Sequence, residues 1–125
     1  MLFDTDVLIW ALRGNTKAAM VIDKCPELQI SAVSYMELLK GARNKEELLS
    51  IRKFLADLGF QILPLDENIS HRAMIYIEEH ALKSGMDIAD ALIAATASER
   101  SLTICTGNNR HYSVIPGLQL SVFRP

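Results

Sequence analysis

Short apolar runs alternate along this chain with longer stretches of helical periodicity, and that alternation leaves it few folds to choose among. MLFD, residues 1–4, reads as a first strand. A helical pattern follows through about Arg13-Gly14, and a second begins after Asn15-Thr16, a capping pair. LQISAV, residues 28–33, is a second strand, with a helix from Ser34 to about Ala42. KEELLSIRKFLADLG carries Leu48, Leu49, Ile51, Phe54, Leu55 and Leu58 at helical spacing until Gly59 ends it. FQILPL, broken by Pro64, is a third strand; Asp66 caps a long helix through Leu82, and Gly85 closes it. A further helix runs from Ile88 to about Arg100, then SLTICT and, after the turn Pro116-Gly117, LQLSVF supply the last strands. Helices between most strands require right-handed crossovers, so the sheet is mainly parallel and covered on both faces, a three-layer α/β/α arrangement.

Bulk properties narrow this further. A chain of 125 residues, 50% apolar and 22% charged, suits one domain over residues 1–125 with a real core. No apolar run approaches the roughly 20 residues that span a bilayer, and the N-terminus lacks the pattern of a secretory signal, so the expected location is the cytoplasm, with no membrane partner. Cys25 and Cys105 are far apart without a CxxC spacing, which points to free thiols rather than a disulfide or thiolate metal site. A net charge of −2 gives no global attraction to nucleic acid, so any polyanion must be held locally. Arg13, Lys40, Arg43 and Arg110 are candidates for that contact, although solvated helix surfaces also explain such residues.

The acids carry the chemistry. MLFDTDVLIW places Asp4 and Asp6 in a segment that otherwise reads as interior, and an ionised group buried without partners costs several kcal/mol or more. In parallel sheets ligands bind beyond the carboxyl ends of the strands. Asp4 ends the first strand, Glu37 lies just past the second, and Thr106-Gly107-Asn108 follows the strand SLTIC, so one rim collects all three. Asp90 heads ALIAATA, a stretch apolar on every side that must be buried between other elements. Capping offers a rival explanation for two of these acids. Asp87 as N-cap with Asp90 at the third helical position, and Ser34-Tyr35-Met36-Glu37 as a capping box, both satisfy the pattern. Asp4 has no such alternative in the sequence. A shared hard cation, Mg2+ or Mn2+, explains Asp4, Glu37 and Asp90 together, because such ions prefer oxygen ligands and allow neighbouring carboxylates to stay ionised. The matching chemistry is phosphodiester hydrolysis by activated water.

DTDVLIWALRG, SAVSYMELLKGA and DIADALIAATASERSLTICTGNNRHYSVIPGL resemble, in this order and over nearly the whole chain, the PIN domain family of metal-dependent ribonucleases, and within it the short VapC-type toxin branch. The resemblance implies a five-stranded parallel sheet, Mg2+ or Mn2+ at Asp4, Glu37 and Asp90, endonucleolytic cleavage of RNA, a homodimer, and neutralisation by a cognate VapB-type antitoxin. Two positions depart from the family pattern. Asp6 stands where Asn or Ser is common, and is assigned a supporting role in hydrogen-bonding the loop, as is Thr106 near the metal. Asn108 stands where a fourth acid is common; it can hold water or a substrate oxygen but adds no charge, which argues against a second metal ion. His111 reads as a surface histidine, with phosphate or leaving-group contact as the alternative, and His71 and His80 lack the spacing of a zinc helix. Two other functions fit less of the sequence. A non-cleaving RNA- or partner-binding module of the same fold would keep binding after Asp4→Asn, and a haloacid-dehalogenase-like phosphatase, suggested by DTDVL, would leave Glu37 without a purpose.

Overall fold

The computed structural model describes residues 1–125 and orders the elements as β1 (Leu2–Phe3), α1 (Thr5–Leu12), α2 (Thr16–Lys24), β2 (Gln29–Ser31), α3 (Ala32–Lys40), α4 (Lys45–Leu58), β3 (Gln61–Leu63), α5 (Glu67–Ser84), α6 (Ile88–Arg100), β4 (Ile104–Thr106) and β5 (Leu120–Val122), with a 3-10 turn at Asn109–His111. Neighbouring residues in a strand point to opposite faces, and the central strands are apolar on both. Leu2 and Ile104 face one way and meet Ile69, Ala73 and Tyr76 of α5 and Ala91, Ala94 and Ala95 of α6. Phe3 and Cys105 face the other way and meet Val7 and Leu8 of α1, Ile22 of α2, Leu38 of α3, and Ile51 and Leu55 of α4. The result is the expected three-layer α/β/α arrangement.

All five strands are parallel, in the order β3-β2-β1-β4-β5. β1 is central. The chain lays β2 and β3 on one side of it and then returns to place β4 and β5 on the other, so the gap between the carboxyl ends of β1 and β4 is the switch point where this architecture receives ligands. Asp4 and Thr106 stand at that gap, with the Asp4 N–H donating to the Cys105 carbonyl at 2.9 Å.

Local chemistry sets most element ends. The side chains of Asn15, Asn44, Asp66 and Asp87 each accept a hydrogen bond from the backbone N–H three residues on, satisfying donors that the helix leaves open. Gly59 and Gly85 end α4 and α5 with φ of 79° and 70°, a conformation that a Cβ disfavours. In α6, Ala91, Ile93, Ala94, Ala95, Thr96 and Ala97 are all buried, and the Thr96 hydroxyl is satisfied by the Leu92 carbonyl at 2.7 Å. Fully burying a side chain such as Ile93 stabilises by about 1.5–3 kcal/mol, whereas a polar replacement there would lack a partner.

The strands are shorter than the apolar runs that suggested them, β4 spanning Ile104–Thr106 within SLTICT and β5 Leu120–Val122 within LQLSVF, and the boundary after β2 moves for a clear local reason. β2 stops at Ser31, and Ala32 and Val33 belong to α3, because the Ser31 hydroxyl accepts from Val33 N–H and caps the helix three residues earlier than expected. No helix is long and apolar enough to cross a membrane.

Candidate active site

Asp4 follows β1 directly and is only 7% exposed. It is also the N-cap of α1: Oδ1 accepts from Thr5 N–H at 2.8 Å. This corrects the sequence reading, which gave Asp4 no capping role; the strand-to-helix junction at a single residue is invisible to periodicity. Its Oδ2 accepts from the Thr106 hydroxyl at 2.8 Å, which in turn accepts from Asn108 N–H at 2.9 Å. The cap therefore explains one oxygen of Asp4 and a buried hydroxyl the other, and neither supplies positive charge. Burial above all, with Asp6 nearby adding repulsion, pushes the Asp4 carboxyl up to about 6.

Asp6 fixes the loop, as its assigned supporting role requires. Oδ1 accepts from Val7 N–H at 2.8 Å and Oδ2 from Gly107 N–H at 2.9 Å. Burial raises its pKa and these two donors partly offset the rise. The contact also explains Gly107: a Cβ there would stand 2.8 Å from Asp6 Oδ2 and 3.4 Å from the Phe123 carbonyl oxygen.

Asp90 lies at the third position of α6, behind its N-cap Asp87, so the capping geometry read from the sequence is present. It does not use up the carboxylate. Oδ1 faces the Tyr112 hydroxyl at 3.4 Å, and Oδ2 lies 4.0 Å from His111 Nδ1. Burial first, then Asp87, raises its pKa, and His111 opposes the rise. Glu37 sits in the second turn of α3 and is exposed; its Oε1 accepts from the Thr5 hydroxyl at 2.7 Å, with the buried Ser34 hydroxyl 3.0 Å from that same oxygen of Thr5. The capping box proposed for Glu37 is not formed, since α3 starts from Ser31 and Ser34 is already helical.

Thr5 thus joins Asp4 and Glu37, and Asp90 meets the Tyr112 hydroxyl, but no three His, Cys, Asp or Glu side chains close into a cage that would hold a metal ion by themselves. The donor set is all oxygen, carries buried negative charge without a lysine or arginine partner, and leaves carboxylate lone pairs free, which suits a hard, partly hydrated cation.

The cationic candidates divide. Arg13 and Arg43 line a cavity of about 730 Å3 with Glu37, Ile9, Leu12 and Leu38, while Lys40 and Arg110 are exposed outside it. Asn108 is exposed and contributes only its backbone N–H to the cluster. His111 is not the surface residue expected: its side chain is 24% exposed and its Nδ1 is buried beside Asp90 without a hydrogen bond. Thr5 and Tyr112 had no signal in the sequence, since single hydroxyls form no pattern, and Ser34 was read only as a helix cap, not as a partner of Thr5. Cys105 is a buried free thiol, pushed up to about 11 by burial first and then by Asp6, and is correspondingly unreactive.

A parallel α/β domain with a carboxylate centre at its switch point defines the class, and the family can then be given. The PIN domain model matches residues 1–115, and the chain belongs to that family. It is 33% identical over 124 residues to Ribonuclease VapC19 of Mycobacterium tuberculosis, covering 94% of this chain and 96% of that protein, and 33% identical over 123 residues to Ribonuclease VapC10 of the same organism, covering 95% and 90%. Among solved structures, a toxin–antitoxin complex from Klebsiella pneumoniae superimposes with a TM-score of 0.79 at 29% identity, covering 94% of this chain and 93% of that one.

Proposed function

We propose that this protein is a divalent-metal-dependent endoribonuclease, the toxin half of a VapBC-type pair acting in the cytoplasm. The observation that carries the reading is Asp4: a buried carboxylate at the switch point, partnered by a hydroxyl and a backbone N–H, with no side-chain cation to balance it. The family membership and the ribonuclease relatives support the same conclusion. Asp4, Asp90 and Glu37 would hold Mg2+ or Mn2+, with Asp4 and Asp90 the inner pair. Such an ion supplies charge neutralisation at phosphorus and a lowered pKa for water.

The chain's own groups do the rest. Thr106 and Thr5 N–H orient the two Asp4 oxygens, and Asp6 holds the Gly107 loop against them. Glu37 has one oxygen occupied by Thr5 and the other open to solvent, placed to accept a hydrogen bond from the attacking water and direct it. Asn108, beside Thr106, offers its side-chain amide to a phosphate oxygen or water. Arg13 and Arg43 flank the cavity that begins at Glu37 and neutralise backbone phosphates entering it, with Lys40 and Arg110 as outer contacts. The same cavity has apolar lining from Ile9, Leu12, Leu38 and Ile51, suited to a segment of an antitoxin that blocks RNA entry, and the family resemblance adds a homodimer as the expected assembly.

The test is to purify the chain without its antitoxin and map RNA ends produced with Mg2+, with Mn2+, with EDTA and after Asp4→Asn. Cleavage that needs the ion and Asp4 supports the reading. Cleavage indifferent to both overturns it, and RNA retention without cleavage in any form replaces it with a binding module.

A further inference from the structure

A second cavity, of about 310 Å3, opens between α2 and the carboxyl end of β5. Lys17, Met20, Val21 and Lys24 line it at the three- and four-residue spacing that puts helical side chains on one face, and Val122 and Arg124 supply the other wall. No acid lines it. None of its three cations belongs to an ion pair, whereas Arg43, Lys53, Arg72 and Arg100 each pair with a carboxylate. In a chain of net charge −2 this is a local positive surface. It also adjoins the candidate centre. Arg124 Nη1 donates to the Gly107 carbonyl at 3.4 Å, Gly107 N–H donates to Asp6 Oδ2 at 2.9 Å, and Phe123 N–H donates to the Thr106 carbonyl at 2.8 Å. In the sheet, β2 and the helix that carries Glu37 follow on one side of β1, with β4 and β5 on the other. Asp4, at the end of β1, therefore stands between the Glu37 cavity and this one.

Resting on the proposed endoribonuclease reading, we propose that this cavity is a second seat for the RNA backbone, so that a strand held by Arg13 and Arg43 on the Glu37 side passes Asp4 and continues over Arg124, Lys17 and Lys24. Phosphates nearing the acids of the rim are repelled, and cations on one side alone would hold only one arm of the strand. Cations on both sides hold the phosphate between them against that repulsion. The apolar part of the wall, Met20, Val21 and Val122, suits sugars and the faces of unpaired bases. Other occupants fit less well. An apolar peptide would leave three cations unmet, and a second copy of the chain, meeting this face with its own across a two-fold axis, would set like charges together.

The test is a Lys17→Met, Lys24→Met double variant, with Lys53→Met, Lys83→Met as a control of equal charge change; all four lysines are exposed, so the fold is spared. Binding of a fluorescent single-stranded RNA is followed by anisotropy in EDTA across a salt series, and cleavage is then measured in Mg2+. Each phosphate seated on a cation adds roughly 0.7 to the slope of log affinity against log salt for single strands, so the double variant should lose about 1–1.5 of that slope. Its affinity at low salt should fall on the order of tenfold, with a matching rise in KM. Arg124→Met should add a further step in the same direction. The control should keep the parental slope. A parental slope and affinity in the double variant, or an equal loss in the control, overturns the inference, and Mg2+-dependent cleavage by the parent then leaves the nuclease reading standing. Parental RNA binding with an altered sedimentation coefficient also overturns it and gives the face to contacts between copies. A parent that binds RNA through these lysines yet cleaves none overturns the nuclease reading alone.

Discussion

The acids of α4 and α5–α6 and the acids of the rim are handled in opposite ways. Asp57 pairs with Lys53 at 2.7 Å in solvent, Glu47 with Arg43 at 3.1 Å at the edge of the Glu37 cavity, and the half-buried Glu99 with Arg72. At the rim Asp4, Asp6 and Asp90 receive hydroxyls and backbone N–H groups and no lysine or arginine. Solvent makes a pair such as Lys53–Asp57 nearly optional, since water screens it and it is worth at most about 1 kcal/mol. Burial makes the rim expensive. The rim thus holds acids that no lysine or arginine of this chain balances.

The largest effect expected of this contrast is on catalysis. Asp4→Asn or Asp90→Asn should lower RNA cleavage per folded molecule on the order of a thousandfold, several kcal/mol of transition-state stabilisation, while Lys53→Met leaves it unaltered. End mapping and circular dichroism on the same samples separate loss of activity from loss of fold. Full activity in both Asn variants would erase the distinction between the two sets of acids.

Stability should move the other way. The Asp4 carboxyl titrates near 6 when folded against 3.8 when unfolded, so the folded state favours the protonated form. That contribution is complete below pH 3.8 and is lost as pH rises through about 6, leaving the charged form burdened at neutral pH by up to roughly 3 kcal/mol. Asn still caps a helix well. Asp4→Asn should therefore be more stable than the parent in urea at pH 8 with EDTA, with the gain vanishing near pH 4. Adding Mg2+ at pH 8 should stabilise the parent and not the variant. A parent that grows more stable from pH 4 to 8 without metal, relative to Asp4→Asn, would contradict the assignment of burial as the cause.

Gly107→Ala comes next. Its Cβ would press on Asp6 Oδ2 at 2.8 Å, and relieving that contact should cost about 1–3 kcal/mol, part of it recovered when Asp6→Ala is added. Additive losses in that double-mutant cycle would mean that the Phe123 carbonyl, not Asp6, sets the limit. Smallest of all, Lys53→Met should change the unfolding free energy by less than about 0.5 kcal/mol, and by less still in high salt.

Much of this was readable from the chain alone. Asn15, Asn44, Asp66 and Asp87 announce helix starts through short-range chemistry, and Gly59 and Gly85 announce ends, so elements fixed by neighbours in sequence fall where periodicity puts them. The parallel sheet follows from the alternation of those elements. The rim was legible as a set of acids because topology collects strand ends, but not as a network. Thr5, Ser34 and Tyr112 meet Glu37 and Asp90 only through contacts 22 to 32 positions apart, and nothing local marks a hydroxyl as one that will be buried against a carboxylate. His111 was misread for the same reason: a 3-10 turn of three residues has no periodicity, and it swings the imidazole inward.

The strand order also bears on synthesis. Asp4 is made 102 positions before Thr106, the residue of β4 whose hydroxyl it meets in the folded sheet. A nascent chain stalled before residue 104 has this acid and lacks the Thr106 hydroxyl that aims it. Until β4 has joined β1 in the sheet, the Asp4 carboxylate is thus without the buried hydroxyl that takes its second oxygen.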